Sequence, residues 1–305
     1  MTTPVDPAIA AVAAAAAAAP PLTSLTPEQA RARVAAGNSS CANGPDLRSV
    51  RDIRLPVADG QIGARVYPPH AAPRATFVYL HGGGWVTGDL DYSDELCRFL
   101  ADRLAWTVVS VDYRLAPEHP FPTPVNDAYA AVQHVAATIA ANGPLGVGGD
   151  SAGGNLAAAC TLRARDEHGP HLDFQVLLYP VTDHDFTRAS YQTHATAFPI
   201  GVAEMRWFWD HYLPDPERRD LPLASPLRAE LAGLPPAHIV VAGHDPLRDE
   251  GVAYAERLRA AGVKASLAEY PSLTHGFFRL TGVVPAARAA VDDLIDALQL
   301  LTEDH

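Results

Sequence analysis

From residue 50 onward, hydrophobic and polar positions divide the chain into alternating strand-like and helix-like segments. Val50–Pro56 and Gln61–Tyr67 read as two short strands, with Asp59-Gly60 as the turn between them. Thr76–Leu80 and Thr107–Val111 are continuous apolar runs, the pattern of strands buried on both faces. Leu145–Gly149, Gln175–Tyr179, Ala237–Ala242 and Ser266–Tyr270 read as further strands. Helical patterns occupy Leu90–Leu104, Asn126–Ala141, Ser151–Asp166, Pro246–Ala261 and Pro285–Leu301. This alternation predicts an α/β fold, a mainly parallel sheet covered on both faces by helices. The first hairpin adds antiparallel edge strands.

Two stretches break the rhythm. Ala8–Ala19 is almost all alanine, and Asp6-Pro7 supplies a cap and a first-turn proline, so a helix over Pro7–Ala19 is expected. Pro20-Pro21 ends it too early for a membrane span. No Lys or Arg precedes it, as a secretory leader requires, although A-x-A cleavage sites are available. Thr26, Pro27, Glu28 and Gln29 open a second helix to about Ala36, followed by a loop from Gly37 to Asp46. The other interruption, Thr182–Pro226, is long and carries several prolines with Met205, Trp207, Phe208, Trp209 and Tyr212. A lid or cap over a site fits it better than a plain loop.

Composition narrows the classes. The 305 residues are 48% hydrophobic and 19% charged, which excludes a disordered or fibrous chain. The formal charge is −12, Lys264 is the only lysine and the arginines are scattered, so neither nucleic acid nor an anionic membrane is an expected partner. Cys41, Cys97 and Cys160 are odd in number and far apart. Neither a disulfide framework nor a structural zinc site is expected from them, and a reducing, cytoplasmic location is. His168 and His171 lack an acidic partner at ligand spacing, so no metal is expected there.

Chemistry gathers at predicted strand ends. Gly149-Asp150-Ser151-Ala152-Gly153-Gly154 fits G-x-S-x-G where a predicted strand turns into a predicted helix. The turn leaves no room for Cβ atoms beside the serine, and the helix N-terminus favours a developing oxyanion. His81-Gly82-Gly83-Gly84-Trp85 follows another predicted strand, and its glycines expose N–H donors to a carbonyl oxygen gaining charge. A phosphate cradle is the rival reading, but the chain lacks G-x-G-x-x-G and the P-loop Lys-Ser/Thr.

A serine nucleophile needs a base and a residue to orient that base. Asp245 and His275 each follow a predicted strand and give the order Ser, Asp, His. Asp183 and Asp185 remain rival acids, whereas Asp249, about a turn inside a helix, fits capping or ion pairing better. Trp85, Trp207, Phe208 and Trp209 either line an apolar pocket or form the core of a cap, and Asp150 is a further pocket candidate.

Five stretches together resemble the hormone-sensitive-lipase family of α/β-hydrolase esterases, the bacterial group called family IV. They are His81–Trp85, Tyr113–Pro122 (YRLAPEHPFP), Gly149–Asn155, Asp245–Asp249 (DPLRD) and His275-Gly276-Phe277. The resemblance implies an α/β-hydrolase fold with a mostly parallel eight-stranded sheet and a helical cap. It implies Ser151 as nucleophile, His275 as general base and then acid, and Asp245 as its orienting residue. The N–H groups of Gly83, Gly84 and Ala152 would form the oxyanion hole, His81 would shape their loop, and Tyr113–Pro122 would support the wall of the site. The cap would comprise residues 1–45 and 183–226, around a catalytic domain of 46–182 and 227–305. The implied activity is hydrolysis of short- to medium-chain carboxylic esters, with a small-molecule substrate and no metal or organic cofactor. A homodimer through the last strand and C-terminal helix is a further expectation. Plant gibberellin receptors resemble the family and lack its catalytic histidine, whereas His275 is present here. Amide, peptide or lipid hydrolysis is compatible with the same fold.

Overall fold

The structure is a computed structural model that describes residues 3–140 and 143–303. In chain order its helices are α1 (Pro7–Ala16), α2 (Pro27–Ala36), α3 (Asp94–Leu104), α4 (Thr123–Thr138), α5 (Ala152–Asp166), α6 (Ala189–Thr193), α7 (Val202–Tyr212), α8 (Arg248–Ala260) and α9 (Pro285–Glu303). Its strands are β1 (Arg51–Val57), β2 (Gly60–Tyr67), β3 (Ala75–Leu80), β4 (Trp106–Asp112), β5 (Leu145–Asp150), β6 (Phe174–Leu178), β7 (Ala237–His244) and β8 (Ala265–Thr274). Ala141, the expected end of α4, lies outside the described residues.

All eight strands form one sheet in the order β1-β2-β4-β3-β5-β6-β7-β8. The pairs β1–β2 and β2–β4 are antiparallel and the others parallel. Helices on both faces bury β3, β5 and β6 along their whole length, which is why Thr76–Leu80 in β3 reads as a continuous apolar run. Successive side chains point to opposite faces. Val78 and Leu80 therefore pack in one core with Val132, Leu156 and Leu258 from α4, α5 and α8. Phe77 and Tyr79 pack in the other with Leu100 from α3 and Ile295 and Leu298 from α9.

Element ends shift for identifiable reasons. The polyalanine helix stops at Ala16 rather than Ala19, and only Ile9 is buried within it. α2 opens on a reciprocal cap, in which Thr26 Oγ1 accepts the Gln29 N–H at 3.2 Å and Gln29 Oε1 accepts the Thr26 N–H at 3.0 Å. α3 starts at Asp94 instead of Leu90 because the Asp89 side chain accepts the N–H groups of Asp91 and Tyr92, at 3.0 and 2.9 Å, and closes a turn there. β8 runs past Tyr270 to Thr274, with an irregularity between Ala242 and His244 that keeps the last residues paired to β7. His275 therefore follows directly on the strand end.

Residues 183–226 contain α6 and α7. Met205, Phe208, Trp209 and Tyr212 are the buried positions of α7, spaced three and four apart as one helix face requires.

Candidate active site

β5 delivers the chain to Ser151, and α5 starts at the next residue. Ser151 has φ 54° and ψ −118°, a backbone state that ordinary L-residues avoid. Backbone bonds hold it there: its N–H donates to Leu178 O at 2.8 Å, and its carbonyl accepts the N–H groups of Val181 and Asn155, each at 3.1 Å. A Cβ at Gly153 would run into the Leu80 backbone, so glycine is what lets α5 approach β3 this closely.

His275 and Asp245 come to the same place from β8 and β7. His275 Nε2 lies 2.9 Å from Ser151 Oγ, and His275 Nδ1 lies 2.7 Å from Asp245 Oδ2. Asp245 is fully buried, while Ser151 and His275 are each 6% exposed and so just reachable. A proton on Nδ1 satisfies the carboxylate and leaves Nε2 as an acceptor facing the serine hydroxyl. The Tyr179 ring meets the imidazole edge-on at 4.9 Å.

The other acids are engaged elsewhere. Asp183 accepts from Arg188 at 2.7 Å and Arg228 at 2.8 Å. Its burial favours the neutral carboxyl, but the two guanidiniums prevail and hold it below the ordinary aspartate range. Asp185 accepts from Thr187, and Asp249 accepts the Ser190 N–H and pairs with Arg248.

The glycine loop faces the same serine. Gly83 and Gly84 have φ of 107° and 61°, and a Cβ at Gly84 would fall inside the Phe208 ring. The N–H groups of Gly83, Gly84 and Ala152 donate to no described residue. Asp150 Oδ1 braces the loop from behind, accepting the Gly82 N–H and the Tyr79 hydroxyl, both at 2.9 Å. Burial pushes the Asp150 carboxyl above its ordinary range, and the Tyr79 hydroxyl pulls the other way. His81 stacks on Tyr113 at 4.3 Å and holds Gly82 O through Nδ1 at 2.8 Å. Burial lowers its pKa and keeps it neutral.

A cavity of about 490 Å³ reaches Ser151 and His275. Gly83 and Gly84 form part of its floor, and Val12, Ala16, Ile200, Met205 and Phe208 part of its walls. Arg33, Glu204 and Arg279 add charge to the lining. Of the aromatic candidates, Phe208 lines this cavity and the others do not. Trp85 and Trp209 are completely buried. Trp85 stacks on Tyr212 at 4.1 Å and meets Trp209 at 4.9 Å. They are the apolar core between α7 and the glycine loop. Trp207 packs on His211 at 4.2 Å, on another side of α7, and Asp150 lies behind the loop. The phase of α7 explains the split, since Met205 and Phe208 lie one turn apart. α1, within the expected N-terminal cap, also lines the cavity through Val12 and Ala16.

A family profile described as an alpha/beta hydrolase fold matches residues 77–279. The chain is 44% identical over 269 residues to the carboxylic ester hydrolase LipN of Mycobacterium tuberculosis, covering 84% of this chain and 72% of that protein. It is 37% identical over 293 residues to an ethyl acetate hydrolase of Pseudomonas putida, covering 92% of each. Its structure is similar to that of a hyperthermophilic esterase from the archaeon Pyrobaculum calidifontis, with a TM-score of 0.92, 37% identity, and coverage of 98% of this chain and 99% of that one. The chain belongs to the α/β-hydrolase family, in its hormone-sensitive-lipase-like group of ester hydrolases.

Proposed function

We propose that the chain hydrolyses short- to medium-chain carboxylic esters through an acyl-enzyme on Ser151. The supporting observation is the hydrogen-bond line from Ser151 Oγ through His275 to the buried Asp245. His275 Nε2 takes the hydroxyl proton as Ser151 Oγ attacks the ester carbonyl, and Asp245 steadies the imidazolium. The tetrahedral oxyanion meets the unengaged N–H groups of Gly83, Gly84 and Ala152. Collapse breaks the bond to the alcohol, which leaves with the proton from His275. Water, deprotonated by His275, then releases the acid and restores Ser151.

In this reading residues 1–45 and 183–226 form a cap over a catalytic domain of 46–182 and 227–305, and the cavity lies between them. A volume of about 490 Å³ suits a small substrate. The similar Pseudomonas putida protein is named for the hydrolysis of ethyl acetate, a short ester. Among the described residues no helix is long and apolar enough to cross a membrane. Cys41, Cys97 and Cys160 are unpaired, which suits a reducing compartment such as the cytoplasm.

The test is a fluorophosphonate adduct mapped by mass spectrometry, with p-nitrophenyl esters assayed from acetate to palmitate. An adduct on Ser151 and a rate maximum at short to medium chains are expected. No adduct and no hydrolysis at any chain length would sink the reading.

A further inference from the structure

Arg31 sits on α2, among the residues proposed to form the cap, yet its guanidinium reaches the glycine loop. Its Nε donates to Val86 O at 2.8 Å, and its Nη2 to Ala116 O at 2.9 Å. The same fork grips the Glu118 carboxylate, at 2.8 Å from Nη1 and 2.6 Å from Nη2. Planar bidentate geometry of this kind is what arginine offers and lysine does not.

The Val86 carbonyl occupies a particular place in the loop. It belongs to the same rigid peptide as the Thr87 N–H, and the two point in opposite directions. The Thr87 N–H donates to Gly83 O at 2.9 Å. The Gly83 carbonyl, in turn, shares a peptide with the Gly84 N–H, which no described residue accepts. Thr87 Oγ1 and the Val86 N–H also donate to Gly83 O, at 2.9 and 3.2 Å, so that carbonyl has little freedom to turn. Fixing the carbonyl fixes the direction of the N–H across the same plane.

We propose that Arg31 is a positioning residue that acts on the Gly84 N–H through two peptide groups hydrogen-bonded in series. The line runs from Arg31 Nε–H to Val86 O, from Thr87 N–H to Gly83 O, and from Gly84 N–H to the oxyanion of the reacting ester. The Arg31 N–H at its head, part of a guanidinium paired with the Glu118 carboxylate, polarises both peptides in one sense, and hydrogen bonds in such a chain strengthen one another. The last N–H is both aimed and made a better donor. The N-terminal segment then does more than cover the cavity, because its docking sets part of the transition-state stabilisation. This rests on the reading of Gly84 as an oxyanion-hole donor.

The experiment compares wild type with R31M, R31K and N38A. R31M fills similar space without a donor, and R31K keeps a charged donor. Asn38 Oδ1 accepts from Arg279 at 2.6 Å next to α2, so N38A loosens cap docking without touching the Val86 carbonyl. The readouts are melting temperature, kcat and KM on p-nitrophenyl butyrate, and Ki of a trifluoromethyl ketone, which adds to the serine as an oxyanion. Losing a whole oxyanion donor costs about 10²–10³ in kcat, so weakening one through two peptides should cost R31M about tenfold. KM should stay within about twofold, and the ketone should weaken by the same factor as kcat. R31K should recover part of the loss, because one ammonium can donate to Val86 O but cannot also keep the two-pronged grip on Glu118. N38A should lower the melting temperature while kcat stays within about twofold of wild type.

A folded R31M with wild-type kcat overturns the proposal. So does an equal kcat loss in R31M and N38A, which would trace the effect to docking alone. If R31M does not fold, R31K is compared with R31Q, and equal kcat in those two overturns it as well. A wild type inactive on every ester is a different result and sinks the esterase reading instead.

Discussion

Asp245 Oδ2 lies 2.7 Å from His275 Nδ1, while the other oxygen of the same carboxylate accepts the Leu247 N–H at 2.8 Å. A backbone bond therefore fixes the carboxylate on the side away from the imidazole. This arrangement keeps the imidazole proton on Nδ1 and leaves Nε2 bare toward Ser151 Oγ, 2.9 Å away. In Asp245→Asn the amide oxygen keeps the Leu247 bond and the NH₂ group turns to Nδ1. The proton then moves to Nε2, where it blocks the serine. Turnover is expected to fall about 10⁴-fold with the fold unchanged. Steady-state kinetics with circular dichroism check this, and a well-folded variant of near wild-type kcat would remove Asp245 from its proposed role.

The strained backbone at Ser151, φ 54° and ψ −118°, makes a separate prediction about stability. Ser151→Ala loses the hydroxyl but keeps a Cβ, and with it the strain. Ser151→Gly loses both. Relief of strain is worth about 1–3 kcal/mol, against at most about 1 kcal/mol for the extra freedom of unfolded glycine. Both variants should be inactive, and the glycine variant should be the more stable by about 1 kcal/mol in urea unfolding. A glycine variant less stable than the alanine one would mean that no strain is stored at this turn.

The positions of Ser151, Asp245 and His275 are legible in the sequence because each follows a strand-like segment, β5 and β7 being short and largely buried and β8 a half-exposed edge strand. β5, β7 and β8 carry these residues at their ends. The end of β8 is less legible, since Pro271 and Ser272 break the apolar pattern while the strand continues to Thr274. Side-chain direction is not legible at all. Trp85, Trp209 and Phe208 are all large aromatic side chains, yet of the three only Phe208 reaches the cavity. The difference lies in the helical phase of α7 and in the path of the glycine loop, where Trp85 itself has φ 60°. The contact of Arg31 with Val86 spans 55 residues and that with Glu118 spans 87, so neither leaves a local mark.

Phe208 closes over Gly84 so tightly that a Cβ there would enter its ring. The ring thus bounds the cavity beside the proposed oxyanion hole. Phe208→Leu should open this wall and favour longer acyl chains. The ratio of kcat/KM for p-nitrophenyl octanoate over butyrate is expected to rise about tenfold, the low end of what one methylene is worth in an apolar pocket. Phe208→Trp should lower the ratio. Unchanged ratios in both variants would show that the acyl chain does not run past this ring.

Glu250 anchors the start of the 183–226 segment to α8. Its Oε1 accepts the Thr182 N–H at 2.8 Å and the Asp183 N–H at 3.4 Å, and Tyr191 OH lies 3.1 Å from Oε2. The side chain is fully buried. That burial is the largest influence on the carboxyl and pushes its pKa well above the ordinary 4.5, while the Thr182 N–H pulls it back. A carboxyl that holds its proton more tightly in the folded chain gives stability that is fully present below 4.5. That stability is lost as the pH climbs from there through the folded value, because the unfolded chain ionises first. Glu250→Gln has no proton to lose and keeps an acceptor for the Thr182 N–H, while its NH₂ faces the Tyr191 hydroxyl, which turns from donor to acceptor. Near pH 4 the two proteins should melt together. At pH 8 the glutamine variant should be the more stable. Melting curves from pH 4 to 8 decide it: a gap that stays constant, or a wild type that gains on the variant as the pH rises, would show that Glu250 is carried in the fold as a well-stabilised anion.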